Sequence, residues 1–247
     1  MNETDAPGKS DPSGWSEAVS GDAKQQTGEP SFDRHARDYD QLHAESIKAS
    51  GESTTYFAEY KLQCLERLGV EEPILDFGCG IGNLTEQLVK KFGRVHGYDP
   101  SSESLRMARP RAKSAIFHED LDDVPNGHFQ TAVLAGVLHH VEPNARGALL
   151  AEVQKKLAPS GKIVVFEHNP INPLTRRAVA SCVFDDDAVL LWPWQLRRTL
   201  AGSGFIDVDL RYIVFFPKFL AALRPLEPKL SRLWVGAQTM CTATKPA

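Results

Sequence analysis

The stretch Ile74-Leu75-Asp76-Phe77-Gly78-Cys79-Gly80-Ile81-Gly82-Asn83 constrains this chain more than any other. An apolar, strand-like run ends in three glycines at alternate positions, and helical spacing follows. Alternating glycines let the backbone turn tightly and let a ligand lie against bare main chain. Dinucleotide proteins use G-x-G-x-x-G in the same place, so a glycine-rich turn alone is weak. Two details separate the readings. The glycines follow G-x-G-x-G, and Asp76 sits two residues before the first of them. A carboxylate there suits a ligand with an ammonium group and repels a pyrophosphate. The pattern favours a nucleoside that carries an amino acid.

Around this turn, short apolar runs alternate with helical spacing. Helices are predicted over residues 32–51 and 56–68, then strands over 73–77, 94–98, 115–118, 130–135 and 162–167. Helices over 82–92, 102–112 and 144–157 fall between those strands. Such alternation signals βαβ units and a parallel sheet. Beyond Glu167 come an irregular Pro/Asn segment, a helix near 193–203 and a long run over 206–216. A helix-and-loop piece (217–232) and a final strand (236–244) close the chain. Two strands joined across such an insert can pair antiparallel. The expected fold is α/β: a doubly wound, mostly parallel, seven-stranded Rossmann-like sheet with an antiparallel C-terminal edge strand.

Charge divides the chain unevenly. The first 30 residues hold six acids and two bases with few apolar side chains, which predicts a disordered tail over residues 1–31. The rest balances at 26 bases and 26 acids, so it lacks the basic face of duplex-binding proteins, and no nucleic-acid partner is expected. Residues 32–247 read as one domain: a helical cap (32–72), a ligand-binding core (73–167) and a C-terminal elaboration (168–247). Cys64, Cys79, Cys182 and Cys241 lie far apart and read as reduced thiols, with no metal site. No apolar run reaches the roughly 20 residues of a membrane span, and no leader pattern opens the chain. A cytoplasmic location without stable membrane insertion is expected, and nothing indicates a homo-oligomer.

Three further elements end where the glycine turn ends. Asp99 closes the second strand 17 residues past Gly82 and can accept from both hydroxyls of a ribose. Asp120 follows the third strand, placed to accept from an adenine amino group, with Leu121 offering its backbone N–H. The run Thr131–Val141 carries the fourth strand into Gly136 and the pair His139-His140. Open α/β sheets bind ligands outside the carboxyl ends of their strands.

With these motifs the sequence resembles the class I S-adenosylmethionine-dependent methyltransferases over residues 32–245. ILDFGCGIGN looks like the family's first motif, HGYDPS its second, and HEDLDDVP with FQTAVLAGVLHHV the next two. Leu157-Ala158-Pro159-Ser160-Gly161-Lys162 resembles the family's L-x-P-G-G turn, with Ser160 replacing a glycine, which predicts strain there. Gln130 stands where members often carry Asp. The resemblance implies S-adenosyl-L-methionine as cofactor and a small-molecule acceptor of a methyl group at O, N or C. It implies that Asp76, Gly78 and Gly80 line the methionine end and that Asp99, with Pro100 beside it, holds the ribose. Asp120 and Leu121 would then hold the adenine, and Gly136 would touch the cofactor from below. Ala36-x-x-Tyr39-Asp40 resembles a helix that small-molecule members fold over the cofactor, which makes Tyr39 a further contact. The alternatives are a protein or RNA methyltransferase, or a non-catalytic protein that binds an S-adenosyl ligand. A NAD-dependent enzyme is the most distant.

A sulfonium methyl needs no covalent enzyme nucleophile, and a base only when the acceptor must lose a proton. His140, Glu167 and His168 are the catalytic candidates by position. The competing reading has one histidine of the His139-His140 pair packing while the other caps a turn. The polar groups of residues 167–175 could likewise only satisfy backbone. Arg176-Arg177 reads as a solvated helix face more than as an anion clamp. Asp185, Asp186 and Asp187 point in different directions and do not make a metal site. Phe219, Leu223, Leu226, Leu230 and Leu233 recur at helical spacing, open to reading as a lid, dimer face or membrane-surface contact. The expectation is a core-facing helix broken by Pro225 and Pro228.

Overall fold

Ser53 starts the first helix by accepting the Tyr56 amide at 3.3 Å on its hydroxyl, and Gly69 stops it at φ +61°. The computed structural model describes residues 51–182 and 188–247. Between those caps lies α1 (Thr54–Leu68), whose Tyr60, Cys64 and Leu65 are buried. β1 (Ile74–Phe77), α2 (Asn83–Lys91), β2 (Val95–Tyr98), α3 (Ser102–Arg111) and β3 (Ile116–His118) follow. Next come β4 (Phe129–Ala135), α4 (Arg146–Lys156), β5 (Leu157–His168), α5 (Pro173–Ala180) and α6 (Pro193–Gly202). β6 (Ile206–Ile213), a 3-10 segment (Lys218–Leu226), α7 (Glu227–Leu230) and β7 (Gln238–Thr244) end the chain.

The seven strands form one sheet in the order β3-β2-β1-β4-β5-β7-β6. All neighbours are parallel except β7, which runs antiparallel to both β5 and β6. The expected architecture is present, with the antiparallel pairing at the C-terminal edge. Strand order reverses between β1 and β4, which opens a crevice at their carboxyl ends. Both faces of the central strands are covered, as in parallel sheets generally. Ile74, Val133 and Val164 pack with Leu65 and Leu88 on one face. Leu75, Leu134 and Val165 pack with Leu150, Val153 and Leu200 on the other.

Three readings of the C-terminal part need correction. The Pro/Asn segment contains α5: Asn172 accepts the amides of Leu174 and Thr175 at 2.9 and 3.2 Å, and Pro173 takes the first helical position. The run expected over 206–216 ends at Ile213, where Val214 takes φ +60° and leaves the ladder. The segment after Pro217 does not face the core: Phe219, Leu223, Leu226 and Leu233 are exposed. Its prolines and a non-helical Leu220 break the continuous stripe that a buried helix would need. The tail over 1–31, residues 32–50 with Tyr39, and Asp185, Asp186 and Asp187 lie outside the described residues.

Ser160 sits at φ +61°, in the left-handed region that the resemblance reserves for glycine. Its side chain is exposed and the turn is held by Lys245, whose amide donates to the Gly161 carbonyl at 2.8 Å. Ser160→Gly is therefore expected to raise unfolding free energy by about 1 kcal/mol. A urea midpoint that stays put or falls would show that the turn stores no strain.

Candidate active site

The glycine turn hangs from the end of β2. The amides of Gly78 and Cys79 both donate to the Tyr98 carbonyl, at 2.7 and 2.9 Å. Gly78 lies at φ +74°, and a Cβ there would meet Val137 at 2.7 Å. Gly80 also has positive φ, yet a Cβ on it would meet nothing within 4 Å. The backbone at Gly80 thus faces open space beside the crevice.

Two buried carboxylates flank that space. Asp99 accepts the Gly80 amide at 2.7 Å on one oxygen and the Ser101 amide at 3.0 Å on the other. Asp76 stands in register with Gly97 on β2 and Val133 on β4, and accepts from the Thr85 hydroxyl at 2.6 Å. Burial lifts the Asp76 pKa to about 6 against the Thr85 hydrogen bond; Asp99 adds to the lift and Lys61 opposes it. Lys61 reaches this place from α1. Burial brings its ammonium down to about 8 against the pull of Asp76, Cys64 and Glu167. Asp120 is exposed at the tip of β3 and caps a short turn by accepting the Asp122 amide at 2.9 Å. Leu121 opens that turn, half-buried against the core.

Across the crevice, β4 and β5 end in a cluster of imidazoles around Glu167. One Glu167 oxygen accepts the Leu138 amide at 2.7 Å, and the other meets His139 Nδ1 at 2.6 Å. Both side chains are shut from solvent. Burial alone would push the Glu167 carboxyl up, but His139, its hydrogen bond and nearby His168 outweigh it and hold the pKa below the usual carboxylate range. The His140 and His168 rings lie 4.1 and 5.1 Å from that of His139, and both are half-buried. Gly136, at φ +75°, follows β4 with its Cβ position 3.4 Å from the His139 ring.

The sequence of residues 74–161 matches the family model for a methyltransferase domain. These residues carry a methyltransferase domain. It is 30% identical over 106 residues to an uncharacterized methyltransferase of Anoxybacillus flavithermus, covering 40% of this chain and 48% of that one. The chain thus spans about half the length of the curated relatives it matches first. A SAM-dependent methyltransferase of Thermotoga maritima superposes with TM-score 0.65 at 20% identity, over 87% of this chain and 97% of that one. Phosphoethanolamine N-methyltransferase 2 of Haemonchus contortus, solved with S-adenosyl-L-methionine, gives TM-score 0.61 at 17% identity, over 89% and 61% of the two chains. At such identities the structural likeness speaks for the fold.

Within the methyltransferase domain, Asp76, Gly78, Gly80, Asp99, Pro100 and Gly136 all gather at the crevice, with Pro100 exposed between Asp99 and Ser101. Asp120 and Leu121 border it from β3. The Glu167 carboxylate is shut from solvent, with its two oxygens accepting from Leu138 and facing His139. Sequence reasoning missed Lys61, Thr85 and the role of His139. Thr85 lies three residues past Gly82 and inside a helix, a spacing that places it under the glycine turn. Lys61 had one signal, a lone base on the otherwise apolar side of α1 beside Cys64 and Leu65.

Proposed function

We propose that the chain moves a methyl group from S-adenosyl-L-methionine to an oxygen, nitrogen or carbon atom of a small-molecule acceptor. One observation carries this reading: the open backbone at Gly80 lies between the buried carboxylates Asp76 and Asp99, at the same sheet end as the His139–Glu167 cluster. Asp76, Gly78 and Gly80 would hold the methionine end, Asp99 and Pro100 the ribose, and Asp120 and Leu121 the adenine. Gly136 would lie beneath, and Tyr39 would add a further contact from the segment before α1. When bound, the sulfonium supplies a methyl already activated toward a nucleophilic acceptor.

The chain's own part is to hold the acceptor in line and exclude water, which together are worth about 7–11 kcal/mol. His140 and His168 take the acceptor side, and one of them accepts a proton when the acceptor must lose one. Glu167 and His139 are positioning residues that fix the cluster from behind. A neutral body over residues 31–247 supports a small acceptor over a nucleic acid, and the phosphoethanolamine named for the Haemonchus enzyme is of that class. The location proposed is cytoplasmic; among the described residues no helix is long and apolar enough to cross a membrane.

The test incubates the protein with radiolabelled S-adenosylmethionine and cell extract, then fractionates by size and polarity. Gly78→Arg, which drives a side chain into Val137, is the inactive control. Label in the low-mass fraction is expected. Label in protein or RNA would overturn the acceptor class, and label nowhere would leave a binding protein.

A further inference from the structure

The connection from β6 to β7, residues 214–237, carries apolar side chains that the core does not take up. Phe219 is 81% exposed and Trp234 59%, with Leu223, Leu226, Leu233 and Val235 between 40% and 50%. Exposed apolar surface on this scale marks an interaction face. It is not a loose loop. Buried Glu227 pins it to α1 and to its own base: it accepts the Tyr60 hydroxyl and the amides of Phe215 and Phe216, the latter two at 3.0 Å. Arg224 lies 4.4 Å over the Tyr56 ring and pairs with Glu52. Helix α5 is tied to the far end, with Asn169 donating to the Trp234 carbonyl at 2.8 Å and Asn172 to that of Val235 at 2.7 Å.

Charge says what covers this face. From Val214 to Ala237 there are four Lys or Arg and one acid, and that acid is buried Glu227. From His168 to Cys182 there are two arginines and no acid. Arg224 and Arg232 are ion-paired, to Glu52 and Asp209, while Lys218, Lys229, Arg176 and Arg177 are exposed around the apolar side chains. Aromatic and leucine side chains ringed by Lys and Arg match the boundary between headgroups and acyl chains of an anionic bilayer. A second copy fits poorly, because a two-fold contact would oppose like charges. The acidic tail, residues 1–31, could meet the bases but has few apolar side chains to cover Phe219 and Trp234.

We propose that this face docks on the surface of an anionic phospholipid bilayer, without spanning it. β6 runs parallel to β5, so the insert leaves the sheet at the end where His168 and the crevice lie. Docking turns the mouth of the crevice toward the lipid, which suits an amphiphilic acceptor presented from the membrane. That last clause rests on the methyl-transfer reading; the docking itself does not.

The full chain is floated with vesicles of phosphatidylcholine alone and of phosphatidylcholine mixed with phosphatidylglycerol. It is expected to bind the mixed vesicles and to leave the neutral ones largely bare. Phe219→Ser with Trp234→Ser should lower partitioning by roughly tenfold or more. Lys218→Glu with Lys229→Glu should lower it by about tenfold. All four positions are exposed, and unchanged S-adenosylhomocysteine affinity confirms that each variant is folded. No donor is present in the vesicle assay, so its outcome stands apart from that of the methyl-transfer test. Failure of the full chain to bind mixed vesicles overturns the proposal. So does a dimer that Phe219→Ser dissociates, which would assign the face to a second copy.

Discussion

Replacing Glu167 by alanine is expected to cost about 3–5 kcal/mol of stability, the range for leaving two buried donors unpaired and opening a cavity beside them. The carboxylate lies inside the fold, accepting from the Leu138 amide and the His139 ring at 2.7 and 2.6 Å. Alanine would leave both donors without that acceptor and open a small cavity between β4 and β5. The effect has a pH signature. The folded-state pKa of Glu167 lies below its ordinary 4.5, so its contribution is present above that value and is lost as pH falls through the lower folded value. The gap between wild type and Glu167→Ala in urea melts should be full near neutral pH and should close in acid. Glu167→Gln keeps an acceptor for Leu138 and should lose less. A loss below about 1 kcal/mol at neutral pH would mean that the pair contributes no more than an exposed one.

Position names Glu167 as a catalytic candidate, and its burial against His139 shows where sequence reasoning stops. The strands announce themselves because both faces of β1, β4 and β5 need apolar residues, and Ile74, Leu75, Val133, Leu134, Val164 and Val165 supply them in unbroken runs. The glycine turn is equally legible, since Gly78 has backbone geometry and a Val137 contact that demand glycine locally. Asp99 and Asp76 follow from their offset to that turn. Direction is another matter. His139 and His140 are adjacent, and sequence cannot say which of them turns inward to Glu167 28 residues away. Here His139 does, and His140 stays half-buried beside it. The insert after β6 misleads for a related reason: its leucines keep helical spacing, but burial depends on whether another element covers them. The capping signals of α5, by contrast, were present in Asn172 and Pro173 and were outweighed by the density of prolines.

Asp99→Ala is expected to weaken binding of S-adenosylhomocysteine by more than about tenfold, the range for losing a charged acceptor of two hydroxyl hydrogen bonds. Asp99 is already oriented by the Gly80 and Ser101 amides, so the ligand would meet a carboxylate whose ordering cost is spent in folding. Alanine also releases the Gly80 amide, and Asp99→Asn separates the two effects by keeping an acceptor without the charge. Unchanged affinity in both would mislocate the ribose. The same titration, run against pH, reads the other carboxylate. Burial holds the Asp76 pKa at about 6, so below that pH its carboxyl is mostly a neutral acid. If only the ionised form binds well, affinity should rise about tenfold between roughly pH 5 and 7, as deprotonation goes from one part in ten to nine. Asp76→Asn should bind weakly and lose that slope. A wild-type slope that persists in Asp76→Asn would place the titrating group elsewhere. A pH-independent wild type would mean that Lys61, beside it on α1, already keeps Asp76 ionised across this range. Either result decides whether the acid before the glycines recognises the ammonium as a charge or serves only to anchor Thr85 under the turn.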